Sequence, residues 1–170
     1  TRALLLPGDQ AIMPKPSFLM YDIMVRSASA EPVYVPLKSL ALDLEEMAAR
    51  VNNQTRMIFL TNPNNPTGSF FGKSDFERFL ARIPENVVVV DEAYIEFADA
   101  PSSIALLDRY PNLIVLRTLS KALALAGARC GAVIGQQPVI EMLSAVQAPY
   151  AMATPVVECV EDALQDERLT

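Results

Sequence analysis

"NVVVVDE", residues 86–92, is the stretch from which the fold follows. Four valines in a row are apolar on both faces of an extended chain. Such a run suits a strand covered from both sides, as in the interior of a parallel sheet. The run then stops abruptly at Asp91 and Glu92. Five other short apolar runs are candidate strands, at residues 11–14, 32–37, 56–61, 112–118 and 130–135. Helix-like stretches separate or follow them, around 17–29, 43–52, 73–82, 101–109, 137–147 and 155–167. In "KSDFERFLARI", Phe76, Phe79, Leu80 and Ile83 share one face, and Ser74 with Glu77 three residues on has the pattern of a capping box. Strands alternating with helices predict an α/β domain, a three-layer α-β-α arrangement around a mostly parallel central sheet. No repeat or linker interrupts the 170 residues, which read as one domain.

Composition narrows the function classes. The net charge is −6, from 14 basic and 20 acidic residues, which argues against nucleic acid or an anionic membrane surface as a partner. No apolar run is long enough to span a bilayer, and the first ten residues lack a secretory pattern. Cys130 and Cys159 have no metal-type spacing and read as free thiols of a reducing cytosol. The chain has no histidine. Histidine triads and histidine zinc sites within it are thereby excluded, and its proton carriers must be Lys, Asp, Glu, Tyr or a cofactor.

Ligands of open α/β sheets sit beyond the carboxyl ends of the strands. Three predicted strands end in polar residues unlike their apolar bodies. The first runs into "TNPNNPTG", residues 61–68, where Pro63 and Pro66 fix their own φ and restrict the residues before them. That loop is stiffer than an exit from a strand requires. The second runs into "DEAY", residues 91–94. A carboxylate at the buried end of a strand needs a positive partner. Asp91 suits a helix cap, a structural ion pair, or the counter-ion of a cationic heterocycle, and Tyr94 offers a phenol to the same ligand. Glu92 and Glu96 read as solvated or structural. The third runs into "TLSK", residues 118–121. Lys121 precedes an Ala-rich segment, with Arg129 eight residues further on. A lysine in apolar surroundings near another cation becomes a nucleophilic amine. Thr118, Ser120 and Arg129 suit a phosphate, and Gly127 and Gly131 allow close backbone approach beside Arg129.

Together these ends supply an amine, a carboxylate, a phenol, an amide, hydroxyls and a guanidinium. Pyridoxal phosphate needs this set. "NPNNPTG", "VVVDEAYIEF" and "NLIVLRTLSKALALAGARCG" also resemble the fold-type I pyridoxal-phosphate aminotransferases, most closely the histidinol-phosphate aminotransferases. The resemblance runs from "PGDQAIMPKPSFLMYD" to "APYAMATPV". It implies that Lys121 forms the Schiff base, that Asp91 pairs with the ring nitrogen, and that Asn65 and Tyr94 bond the ring's phenolic oxygen. Ser120, Arg129 and Thr118 would hold the phosphate. Phe18 would stack on the ring, with Tyr21 the weaker candidate for that role.

The activity implied is amino transfer from histidinol phosphate to a 2-oxo acid, 2-oxoglutarate, in histidine biosynthesis, by a cytoplasmic homodimer. The resemblance also implies that the family's upstream glycine-rich segment "GSDE", its first strand, its N-terminal arm and its C-terminal small domain lie outside these residues. Leu123, Ala124 and Ala128 stand where relatives often carry bulkier side chains. The cofactor motifs do not separate this activity from that of an aromatic aminotransferase or a threonine-phosphate decarboxylase. A non-catalytic α/β domain binding a nucleotide is the other reading, against which GxGxxG and GxxxxGK[ST] are both missing.

Overall fold

A computed structural model describes residues 1 and 3–165. Its centre is a six-stranded sheet in the order β2-β1-β3-β4-β5-β6. The strands are β1 (Gln10–Lys15), β2 (Glu31–Pro36), β3 (Thr55–Thr61), β4 (Val87–Asp91), β5 (Leu113–Thr118) and β6 (Gly131–Gly135). The first five are mutually parallel, and β6 joins β5 antiparallel at the edge. All six apolar runs are therefore strands, and the sheet is mostly parallel as expected.

The helices are α1 (Met20–Ser27), α2 (Leu44–Ala49), α3 (Lys73–Arg82), α4 (Gln137–Ala145) and α5 (Thr154–Leu164). The predicted final helix reached residue 167, and its last two positions lie outside the described residues. Two predicted features differ. The stretch around 101–109 holds only a 3-10 segment, Ser103–Leu106, because Ser102 and the Ser103 amide are both drawn to the carboxylate of Glu92. Helix α3 starts one residue before Ser74, and its N-cap is Gly72, with no side-chain cap. Asp75 supplies the negative charge in the first turn instead, where the helix dipole favours it.

Strand alternation explains why both faces had to be apolar. Ile12, Ile58, Leu60, Val88, Val90, Leu113 and Val115 pack on one side with Met47 of α2 and Phe76, Phe79 and Leu80 of α3. Ala11, Met13, Met57, Phe59, Val89 and Ile114 pack on the other with Tyr21 and Val25 of α1 and Val139 and Leu143 of α4. The chain moves outward from β1 to β2, then returns past β1 to β3, with α1 and α2 on opposite faces. The strand order thus reverses between β1 and β3, the place where such sheets open a crevice at their carboxyl ends. At the far side, β5 and β6 approach closely at Gly131, where a Cβ would lie 2.7 Å from the Arg117 carbonyl oxygen. Glycine is required there by contact; Gly127, which has nothing within 4 Å of its Cβ position, is not so constrained.

Candidate active site

Four connections meet at the carboxyl edge of the sheet: residues 16–19 after β1, 62–72 after β3, 92–94 after β4 and 119–130 between β5 and β6. Because β6 runs antiparallel, its start lies at this same edge, with Gly131 opposite Thr118.

The loop after β3 is held by two buried asparagines, with 3 % and 2 % exposure for Asn62 and Asn64. The Asn62 side chain accepts from the Phe71 amide at 3.0 Å, and its backbone amide donates to the Asp91 carbonyl at 2.9 Å. Asn64 Oδ1 accepts from Ser17 Oγ at 2.9 Å, and Asn64 Nδ2 donates to Thr67 Oγ1 at 2.9 Å and to the Pro16 carbonyl at 3.3 Å. Ser17 Oγ also shares a 2.7 Å hydrogen bond with Thr61 Oγ1. The loop closes where the Gly68 amide donates to the Asn64 carbonyl at 2.7 Å, with Gly68 at φ +70°. Asn65 is thus clamped between fixed neighbours, and it lines the adjoining cleft.

That cleft is lined by Phe18, Thr61, Asn65, Asp91, Ala93, Tyr94 and Lys121. Five of the eight expected site residues therefore border one opening: Phe18, Asn65, Asp91, Tyr94 and Lys121. Of the other three, Thr118 is the last residue of β5, and Ser120 and Arg129 lie in the neighbouring β5–β6 connection. There the Ser120 amide donates to Thr118 Oγ1 at 3.2 Å, and the Leu119 amide donates to the Cys130 carbonyl at 3.2 Å, bringing the two ends of the connection together. Arg129 has φ +51° and is exposed, and its Nη1 donates to the Ala126 carbonyl at 3.0 Å.

Lys121 differs from expectation in its surroundings. It is exposed at the mouth of the cleft, not enclosed by apolar residues, and its Nζ sits 5.4 Å from the centroid of the Tyr94 ring. Asp91 is half-buried. Its Oδ1 accepts from the Ala93 amide at 2.9 Å, and its Oδ2 accepts from the Tyr21 hydroxyl. Neither Lys121 nor Asp91 belongs to any ion pair among the described residues. Of the two aromatic candidates after β1, Phe18 is 42 % exposed and borders the cleft, whereas Tyr21 is 3 % exposed and stacks on Phe59.

Glu92, next to Asp91, turns away from the cleft. It is fully buried and accepts from Ser102 Oγ at 2.6 Å, the Ser103 amide at 2.6 Å and Arg117 Nη1 at 3.2 Å. It is structural. Ser17, Tyr21 and Asn64 carry much of the site's framework and were not singled out for it. Their partners stand far away in sequence, so no local pattern signals them. The one available hint was the density of Asn and Pro in 62–66.

The donor set fits pyridoxal phosphate. Among the described residues, the Asp91 carboxylate is held only by neutral donors and belongs to no ion pair. An amine, an amide, a phenol and an exposed aromatic ring share its cleft, with two hydroxyls and a guanidinium alongside.

A family model described as aminotransferase class I and II matches residues 1–170. Histidinol-phosphate aminotransferase 2 of Carboxydothermus hydrogenoformans is 43 % identical over 170 residues, covering 97 % of this chain and 47 % of that protein. The histidinol-phosphate aminotransferase of Sinorhizobium meliloti, solved in complex with pyridoxal-5'-phosphate, superposes with a TM-score of 0.91 at 29 % identity, over 98 % of this chain and 47 % of its own. An aromatic aminotransferase from Pyrococcus horikoshii superposes with a TM-score of 0.88 at 31 % identity, over 99 % of this chain and 48 % of its own. The chain spans about half the length of the curated relatives it matches.

Proposed function

Because the chain belongs to the class I and II aminotransferase family, we propose that it is the cofactor-binding part of an enzyme that moves an amino group from histidinol phosphate to 2-oxoglutarate. The observation that carries this reading is the shared cleft of Lys121 and Asp91, two opposite charges with no ion-pair partner among the described residues. Relatives named for histidinol phosphate, about 40 % identical over nearly the whole chain, support the choice of amino donor.

Pyridoxal phosphate, when bound, supplies an aldehyde carbon and a ring that accepts electrons. The protein's own groups do the rest. Lys121 Nζ would attach the cofactor through its aldehyde carbon and, as a free amine, would take the proton from the substrate's Cα and carry it away from that carbon. The Asp91 carboxylate keeps a proton on the ring nitrogen. Asn65 and Tyr94 orient the ring through its phenolic oxygen, Phe18 covers one ring face, and Thr118, Ser120 and Arg129 hold the phosphate. No histidine is needed, since the lysine amine serves as both base and acid.

On this reading the whole protein is a cytoplasmic homodimer of histidine biosynthesis. Phe70 and Phe97 beside the site are 53 % and 69 % exposed, as fits a surface covered in an assembled enzyme. The Pyrococcus relative favours a second reading, an aromatic amino donor. Steady-state transamination by the whole protein, with 2-oxoglutarate as acceptor, separates the two. A higher kcat/KM for histidinol phosphate than for phenylalanine or tyrosine is expected. The reverse order would move the assignment to the aromatic donors, and activity with none of them would refute it.

A further inference from the structure

Tyr21 lies one layer beneath the cleft. Its ring stacks on Phe59 with centroids 4.7 Å apart and planes 11° from parallel, and meets Phe18 edge-on at 5.5 Å and 82°. These contacts need only the ring, and a phenylalanine would make them as well. The hydroxyl has a separate purpose, since a buried phenol requires a partner, and here the partner is Asp91 Oδ2. With the Ala93 amide on Oδ1, each oxygen of the carboxylate is held by its own donor, which fixes the carboxylate's orientation.

We propose that Tyr21 is a positioning residue that holds Asp91 oriented and charged, so that the proton shared between Asp91 and the cofactor stays on the ring nitrogen. This rests on the reading of Asp91 as the ring-nitrogen partner. Hydrogen bonds donated to a carboxylate favour its charged form. Without the Tyr21 donor, Oδ2 of Asp91 loses the hydrogen bond that favours the charged carboxylate and fixes its orientation. The phenol can only donate in this pair, because burial and then the negative charge of Asp91 push its own pKa well above the usual tyrosine range.

The test uses the whole protein loaded with pyridoxal phosphate carrying 15N in the ring. The 15N resonance distinguishes a protonated from an unprotonated ring nitrogen, independently of turnover. Tyr21→Phe keeps the stacked ring and is expected to move this resonance toward the unprotonated position, and to lower kcat about tenfold with little change in KM. Asp91→Asn is expected to move it further. Placing 3-fluorotyrosine at position 21 keeps both ring and hydroxyl, strengthens the donor, and is expected to shift the resonance the opposite way; it decides the matter if the phenylalanine variant folds poorly. An unchanged resonance in the Tyr21 variants, with a clear shift in Asp91→Asn, would overturn the role of Tyr21 alone. No shift in Asp91→Asn would overturn both that role and the reading of Asp91.

Discussion

Arg117, near the end of β5, donates to Glu92 at 3.2 Å, and the Glu92 side chain has 0 % exposure. The same guanidinium reaches Glu96 at 2.7 Å, where the carboxylate is 31 % exposed. One arginine thus ties a buried acid and a half-exposed one to the strand that leads to Lys121.

The two acids should differ sharply in stability. Glu92→Ala strands Arg117, Ser102 and the Ser103 amide together. Breaking a buried pair of this kind costs about 3–5 kcal/mol. Glu96→Ala removes a more exposed partner and should cost less than about 1 kcal/mol. Urea unfolding of both variants measures the difference. Equal, small losses would show that Glu92 does not anchor the 102–103 segment.

Asn64 and Asn65 stand side by side but should respond differently to mutation. Asn64→Ala removes three side-chain hydrogen bonds, to Ser17, Thr67 and Pro16. Leaving buried donors and acceptors unmet costs about 1–3 kcal/mol. Asn65→Ala, at the cleft surface, should leave the melting temperature nearly unchanged and weaken pyridoxal phosphate binding. Thermal unfolding and cofactor titration on both variants check this. A large loss of stability in Asn65→Ala would contradict the division of labour.

Tyr21 predicts an alkaline effect. An ordinary tyrosine loses its proton near pH 10. Burial and the charge of Asp91 raise the pKa of Tyr21 when folded. Above about pH 10 the unfolded chain therefore releases a proton that the native state keeps, and stability falls as pH rises. Below that pH the contribution is complete. The stability of the wild type minus that of Tyr21→Phe should be flat from pH 7 to 9 and fall beyond 10. Parallel curves throughout would contradict it.

The strands were legible because each is a short apolar run, and Val88–Val90 could only be covered from both sides. The site was legible where chemistry stands at those ends, at Asn65, Asp91, Tyr94 and Lys121. What the sequence hid depends on distance along the chain. Tyr21 and Asp91 are 70 residues apart, and Ser17 and Asn64 are 47 apart. The stiffness read into Pro63 and Pro66 also resides in Asn62 and Asn64, whose hydrogen bonds only the fold assembles. Local propensity suggested a helix around 101–109, but the buried Glu92 carboxylate draws that segment into a 3-10 turn. The amine of Lys121 was expected in apolar surroundings; the 119–130 connection instead leaves it open beside the Tyr94 ring.

The central claim is that Lys121 attaches the cofactor, and borohydride reduction of the whole protein loaded with pyridoxal phosphate tests it most directly. Reduction makes the linkage permanent, and peptide mass spectrometry locates it. The account predicts a single pyridoxyl adduct on Lys121, absent from Lys121→Ala. An adduct on Lys15, Lys38 or Lys73, or one that persists in Lys121→Ala, would contradict it.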